Sequence, residues 1–384
     1  MTLQDAVRYF TQESRSLSCM SVACGTAEHV YTAEAECGPD SVFDIASLSK
    51  LFTGLTAMRL WERGALRPEE PVTRYAPVFT NLNTVTVEQL LGFEIALRTP
   101  ERIDAQPDPH AAEAMLFSCV PSPNGENRAY SDIHAMVARY VLEGAAGLPM
   151  MELVRREILE PVGLAETDCR VPPEAREHCV SCDGEHRIEG TKYTVRSGIA
   201  PGTPHDPKAR LMSPDGAVFC GHAGLFSTRG DLVRLCRAIL HGDVLSANTL
   251  RFMARNRTGR RRRDGGWTQF LGIQCYVKHP VQYHSEVPVY MSDRALALSG
   301  FTGCHLAVDP AVGVFEFYLG SRVRDRLSVL IPETGRTITD YGLSEDGIGS
   351  VRWPDGTVVL SSVDYVHLKD THYHPAVART LGLD

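Results

Sequence analysis

The chain has 384 residues, of which 43% are hydrophobic and 22% charged, which is ordinary for a folded globular protein and excludes extensive disorder. The 47 acidic and 39 basic residues give a formal net charge of −8, so we expect no nucleic-acid partner. Eleven scattered cysteines, a start without leader character and the lack of an apolar run of about 18 residues predict a cytoplasmic protein with reduced thiols and no membrane span.

The first part of the chain alternates between helical and strand-like patterns. Residues 5–14 favour a short helix, and residues 17–24 and 29–36 favour two strands joined by a turn. Residues 47–62 carry apolar side chains at every third or fourth position, which predicts a long helix.

Residues 66–215 predict a mostly helical region that prolines interrupt. The helical candidates there are 87–91, 111–119, 132–143 and 150–158. The polar stretch 170–215 predicts a long irregular connection, of the kind that often covers a binding site.

Strand-like patterns return after a predicted helix at 227–240. The strand candidates there are 270–277, 295–299, 305–308, 313–319 and 358–368. Because strands lie near both ends, we predict an α/β (α+β) fold with a central antiparallel sheet built from both chain ends and flanked by helices. The predicted domains are 1–65 with 216–384, which hold the sheet, and an inserted, mostly helical domain at 66–215.

Ser47 and Lys50 form the first candidate for chemistry. Their spacing at the start of a predicted helix puts both side chains on one face, where free N–H groups can hold an oxyanion. A serine hydroxyl attacks well only when a base takes its proton, and a lysine is a base only as the neutral amine. Most pairs with this spacing are ordinary surface residues, so the pair alone leaves the question open.

Two other short motifs carry polar groups of the right kind. Tyr130 precedes Ser131 and Asp132, and a phenol near a lysine can relay a proton. The alternative is that Ser131 or Asp132 caps the following helix while Tyr130 packs. Ser299 and Gly300 lie in a strand whose small residues allow a substrate to approach the backbone closely, although a glycine bulge would look the same.

The order and spacing of the three motifs resemble the serine β-lactamase and penicillin-binding-protein superfamily, in its class C and esterase-like branch. The stretches that match the branch are 43–51, 64–77, 205–210, 221–232 and 300–310. The resemblance runs from about residue 17 to residue 324. It implies a β-lactamase/transpeptidase-like fold and a serine hydrolase that works through an acyl-enzyme.

The resemblance also implies roles for individual residues. Ser47 would be the acylated nucleophile, Lys50 its base and Tyr130 a proton relay. The backbone N–H groups of Ser47 and Phe301 would form the oxyanion hole.

Three further residues would contact the substrate in this scheme. They are Asp132, Ser299 and Gly300. Asp132 stands where many relatives have asparagine, and its carboxylate would favour a protonated Lys50. Leu298 stands where relatives have lysine or histidine, so the site lacks a cation to attract a substrate carboxylate.

We therefore expect an esterase or a peptidase-like amidase that acts on a small ester or amide. A β-lactamase is the nearest alternative. It is the less favoured of the two, because β-lactams carry a carboxylate and Leu298 supplies no cation to bind it. The other alternative is a non-catalytic binding protein on the same scaffold. The sequence leaves the oligomeric state open.

No cofactor and no metal are expected. His178, Cys179, Cys182 and His186 have ligand-like spacing for zinc, but no second cysteine pair lies nearby. We expect the polar residues near the C-terminus to be exposed; they are Asp370, His372 and His374.

Overall fold

Strands from the two ends of the chain pair in one sheet. A computed structural model describes residues 1–122, 130–281 and 285–384. The strands in chain order are β1 (Met20–Gly25), β2 (Val30–Ala35), β3 (Val42–Asp44), β4 (Leu97–Arg98), β5 (Val120–Pro121), β6 (Glu185–Glu189), β7 (Lys192–Arg196), β8 (Phe226–Thr228), β9 (Leu296–Gly300), β10 (Cys304–Asp309), β11 (Val314–Gly320), β12 (Arg326–Ile331), β13 (Ser350–Arg352) and β14 (Val358–Ser361).

The central sheet has the order β2-β1-β11-β10-β9, and every neighbouring pair is antiparallel. Met20 pairs with Gly320, which joins the start of the chain to a strand 300 residues later. The predicted α/β (α+β) fold with a sheet built from both ends is therefore confirmed.

Helices cover both faces of this sheet. They are α1 (Leu3–Arg8), α2 (Ser49–Glu62), α3 (Val72–Tyr75), α4 (Val87–Leu91), α5 (Pro109–Phe117), α6 (Asp132–Ala146), α7 (Met150–Val154), α8 (Glu160–Val162), α9 (Pro207–Met212), α10 (Arg229–His241), α11 (Ala247–Met253), α12 (Tyr365–Leu368) and α13 (His374–Leu381). Helix α10 contacts β1, β10 and β11, and helix α2 is buried along most of its length and packs on α6.

Alternation along the strands separates two apolar cores. Ala23 and Phe317 belong to the main core, whereas their chain neighbours Val22 and Tyr318 pack with α1 and α13 on the opposite face. The C-terminal helix is thus part of the sheet's own packing.

A second sheet corrects the prediction for 170–215. Its order is β13-β14-β12-β6-β7, and β6 with β7 forms an antiparallel hairpin within the stretch predicted to be irregular. The hairpin escaped prediction because its strands are mostly charged or polar, and Ile188 is their only fully buried apolar residue. Strand β12, which was not predicted, pairs in parallel with β6. The division into two domains stays a prediction.

Two predicted strands differ in the structure. Residues 270–277 form a turn in which Leu271 and Tyr276 make a single bridge, and residues 358–368 leave the strand at Ser361 and enter helix α12. Among the described residues no helix has the length and apolar character needed to cross a membrane. The cytoplasmic location and the lack of a nucleic-acid partner stay predictions.

Candidate active site

The turn before Ser47 has a strained backbone that side chains hold in place. Ala46 has a φ of 44°, a left-handed value that costs a residue with a side chain about 1–3 kcal/mol. Asp44 fixes the turn, because its carboxylate accepts from the Ala46 N–H at 2.8 Å and from the His205 N–H at 2.7 Å. Ser47 is then presented at the start of helix α2, as predicted from its spacing to Lys50.

Lys50 is fully buried, and its ammonium group makes three contacts. Its Nζ donates to Ser47 Oγ at 2.9 Å, to Asp132 Oδ1 at 2.7 Å and to the His222 carbonyl oxygen at 3.0 Å. Burial by itself lowers the pKa of Lys50, but the Asp132 carboxylate outweighs it, and the net effect raises the pKa above the ordinary lysine value. The resting site therefore holds Lys50 as a cation.

Asp132 continues a row of alternating charges. Its second oxygen lies 3.1 Å from Lys208 Nζ, which lies 3.2 Å from Asp206, and Asp206 lies 2.9 Å from His222 Nε2. Burial opposes ionisation of Asp132, but Lys50 and Lys208 lower its pKa well below the ordinary range. Because two ammonium groups already compensate these carboxylates, the group formed by Asp132, Asp206 and His222 is unsuited to a metal ion.

Aromatic rings hold Tyr130 beside Lys50. The Tyr130 ring stacks between Phe93 and Tyr276 at centroid distances of 5.4 and 5.3 Å, and Lys50 Nζ lies 5.0 Å from its centroid. Ser131 caps helix α6, which was the structural alternative for this motif. The same motif also brings Tyr130 to the site.

Strand β9 packs against the turn that precedes Ser47. A Cβ atom on Gly300 would lie 2.6 Å from the Ile45 carbonyl oxygen, so only glycine permits this approach. Thr302 Oγ1 donates to the Asp44 carbonyl oxygen at 2.7 Å. Phe301 follows Gly300 directly and lines the same cleft as Ser47.

The hydroxyl of Ser299 contacts a carboxylate that the sequence did not predict, that of Glu286. Ser299 Oγ donates to Glu286 Oε2 at 2.7 Å, and the buried Lys369 ammonium lies 2.5 Å from the same oxygen. Burial opposes ionisation, yet Lys369 lowers the pKa of Glu286 to about 2. Leu298 is buried in the main core and presents no cation to the site.

Most of the predicted site residues line one cleft of about 560 Å³. Those on its wall are Ser47, Tyr130, Asp132, Ser299, Gly300 and Phe301. Lys50 lies behind Ser47, out of contact with solvent.

Sequence reasoning missed several charged residues of the same wall. They are Arg102, Asp104, Arg187, Arg196, Asp206, Lys208 and Glu286. Arg187 and Arg196 come from the hairpin β6–β7, whose charged pattern predicts an exposed loop equally well. Glu286 belongs to no recognisable motif, so no sequence signal indicated it.

The candidate zinc cluster is not assembled. His178 has a half-exposed side chain, and His186 lies on the Gly184 carbonyl oxygen at 2.8 Å. Within the described part of the chain, Cys179 and Cys182 join no group of three possible ligands.

Comparison with known proteins decides the family. The family model described as Beta-lactamase matches residues 6–328. The chain belongs to the β-lactamase family. The predicted resemblance is thereby confirmed over most of the chain.

Individual relatives are more distant. The D-alanyl-D-alanine-carboxypeptidase/endopeptidase AmpH of Escherichia coli is 26% identical over 182 residues, which cover 44% of this chain and 47% of the relative. The chain spans about half the length of the curated relatives it matches first.

Solved structures support the fold. EstCE1, described as a hydrolase with promiscuous acyltransferase activity, has a TM-score of 0.65 at 18% identity and covers 83% of this chain and 92% of its own. Simvastatin synthase LovD of Aspergillus terreus has a TM-score of 0.66 at 14% identity and covers 98% and 97%.

The charge state of Lys50 is directly measurable, because the chain has only five lysines. NMR of lysine labelled at Cε should give a Lys50 titration midpoint above the ordinary value of about 10.4 in the wild type. In Asp132→Asn the midpoint should fall, because the carboxylate no longer stabilises the cation. Lys50→Arg assigns the signal, and Lys192, on the hairpin, is the internal control. An equal midpoint in both proteins would contradict the assigned role of Asp132.

Proposed function

We propose that this β-lactamase-family chain is a serine hydrolase that forms an acyl-enzyme at Ser47 with a small ester or amide. The observation that carries the proposal is the 2.9 Å contact between Ser47 Oγ and Lys50 Nζ, in a cleft that Tyr130 also lines. EstCE1, the hydrolase with acyltransferase activity named above, supports acyl transfer on this fold.

Acylation begins with loss of the Ser47 proton. Lys50 must first lose a proton to solvent, because the ammonium group of the resting site has no lone pair with which to accept another. The neutral amine then takes the Ser47 proton as Oγ attacks the carbonyl carbon. The N–H groups of Ser47 and Phe301 would bind the resulting oxyanion, and one such donor typically contributes about 3 kcal/mol.

Tyr130 would complete the reaction. Its phenol relays the proton from Lys50 to the leaving oxygen or nitrogen as the tetrahedral intermediate collapses. Water then attacks the acyl-enzyme, its proton returns through the same groups, and Ser47 is released with a free acid. Asp132 acts on Lys50 and is thus a positioning residue in this scheme.

The charges near Ser299 favour substrates without a carboxylate. Glu286 occupies one side of the Ser299 hydroxyl, and Leu298 offers no cation. A substrate carboxylate at this place would lie beside the Glu286 carboxylate and would find the Lys369 ammonium buried and already paired with it. This favours an esterase or amidase with neutral substrates over a β-lactamase or carboxypeptidase.

Two arginines that line the same cleft offer the competing possibility. Arg187 and Arg196 both contact Glu185, at 3.0 and 3.3 Å, and Arg187 also contacts Glu189 at 3.3 Å. A substrate carboxylate that displaced Glu189 from Arg187 would be bound there. Binding near Glu286 and binding near the two arginines therefore make different predictions about substrate charge.

Covalent labelling tests the nucleophile. Intact-protein mass spectrometry with a fluorophosphonate should show one adduct on the wild type and on the control Ser41→Ala, and none on Ser47→Ala. Turnover of nitrophenyl acetate and butyrate should fall at least about 10³-fold in Ser47→Ala, because the attacking oxygen is gone. A wild type without adduct or turnover would make the chain a binding protein, and an equal adduct on Ser47→Ala would reject the mechanism.

Substrate charge tests the role of Glu286. The wild type should hydrolyse nitrophenyl butyrate with a kcat/KM at least about tenfold above that of the nitrophenyl succinate monoester, which adds one carboxylate. Glu286→Gln should narrow this ratio, whereas the control Asp104→Asn, at a carboxylate of the cleft that pairs with Arg102, should leave it unchanged. Preference for the succinate ester, or rapid turnover of a penicillin, would favour the β-lactamase alternative and binding at Arg187 and Arg196.

A further inference from the structure

A buried group of ligand-type side chains lies beneath the cleft. His305 in strand β10, Glu316 in strand β11 and His374 at the start of helix α13 meet on the face of the central sheet that also carries Ser299. Their side chains are 0%, 0% and 4% exposed. The prediction that His374 is exposed was therefore wrong, because helix α13 packs on the sheet.

The three side chains lie in contact but without well-aligned hydrogen bonds between them. Glu316 Oε1 lies 3.3 Å from His305 Nε2 and 3.0 Å from His374 Nε2, and the three atoms lie within 4.8 Å of one another. None of the three atoms has a hydrogen-bond partner within the described ranges. The three atoms are thus close together but are not oriented as donors and acceptors for one another. This indicates that all three point into the same small space.

These separations fit a divalent cation. Nitrogen and oxygen ligands about 2.1 Å from a zinc ion, at tetrahedral angles, lie roughly 3.4 Å apart. Two imidazoles and one carboxylate are a donor set that zinc binds in proteins, with a water completing the tetrahedron. A buried carboxylate without such a partner is costly.

Outer contacts orient each ligand. His305 Nδ1 lies 3.0 Å from Ser299 Oγ, His374 Nδ1 lies 3.1 Å from Asp370 Oδ1, and Tyr290 donates to Glu316 Oε2. These contacts lie on the atoms opposite both Nε2 atoms and Oε1, and the one between His374 and Asp370 is an ion-pair contact without hydrogen-bond alignment. A carboxylate or hydroxyl on the far nitrogen of a histidine ligand is the usual outer arrangement of zinc sites.

The net charge of the groups around the cluster also favours a bound divalent cation. The carboxylates of Glu286, Glu316 and Asp370 surround the cluster, and Lys369 supplies one ammonium group. With neutral imidazoles the group therefore carries a formal charge of −2. One divalent cation cancels it.

We propose that His305, Glu316 and His374 bind one zinc ion. The ion ties helix α13 to strands β10 and β11, and it holds His305 against Ser299 in the cleft wall. The three ligands come from distant parts of the chain, so no zinc-type spacing of ligands is visible in the sequence. The proposal does not depend on the function proposed for Ser47, because it is tested by metal content.

Metal analysis of the full chain tests the site. Protein dialysed with zinc and then freed of loose metal should retain one equivalent, and a strong chelator should remove it and lower the thermal midpoint. His374→Ala and Glu316→Gln should lose the zinc, whereas His372→Ala, on the same segment but stacked on Tyr9, should retain it. Asp370→Asn should weaken zinc binding about 10- to 100-fold, because only the orienting carboxylate changes.

X-ray absorption at the zinc edge decides the ligands even if the variants fail to fold. Nitrogen and oxygen ligands without sulfur are expected in the wild type. A wild type that retains no zinc, with a thermal midpoint that zinc and chelator leave unchanged, would mean that a His374 imidazolium bridges Glu316 and Asp370, and would overturn the proposal. Sulfur ligands, or zinc retained by His374→Ala, would overturn it as well.

Discussion

The site is built around one buried ammonium group, that of Lys50. Its three partners come from separate parts of the chain: Ser47 before helix α2, Asp132 in helix α6 and His222 before strand β8. A buried charge is tolerated only when its contacts are complete, so these segments must come together for the chain to fold. The same contacts place the hydroxyl of Ser47 beside a potential base. Folding and chemistry thus share one set of contacts.

This constraint explains which elements could be predicted. The helix that carries Lys50 and the strands of the central sheet have clear apolar periodicity, because one side of each must face the core. The motif around Tyr130 is short, but its place just before an amphipathic helix is equally readable. Neither observation needs knowledge of the tertiary contacts.

Other parts of the fold and the site could not be predicted from the sequence, for a physical reason. The hairpin β6–β7 lies at the edge of the second sheet, and its charged side chains pair with one another. Its sequence therefore looks like a loop. Glu286 and His374 take their roles from tertiary neighbours alone, and His374 is buried by a helix whose docking the local sequence does not reveal.

Strand β9 connects the two centres described above. Ser299 lines the cleft, and its hydroxyl contacts both Glu286 and His305. A change in the buried cluster would therefore reach the cleft through a single side chain. Substrate preference at Ser299 depends in this account on charges that lie beneath it as well as on those that line the cleft.

The most direct test of the role of Lys50 is the pH dependence of Ser47 acylation. Because Asp132 raises the pKa of Lys50, the neutral amine becomes more abundant as the pH rises. The acylation rate of the wild type should therefore increase about tenfold per pH unit through the neutral range, and Asp132→Asn should move this rise to lower pH. A rate that is independent of pH between about 6 and 9, or a rise that Asp132→Asn leaves in place, would contradict Lys50 as the base.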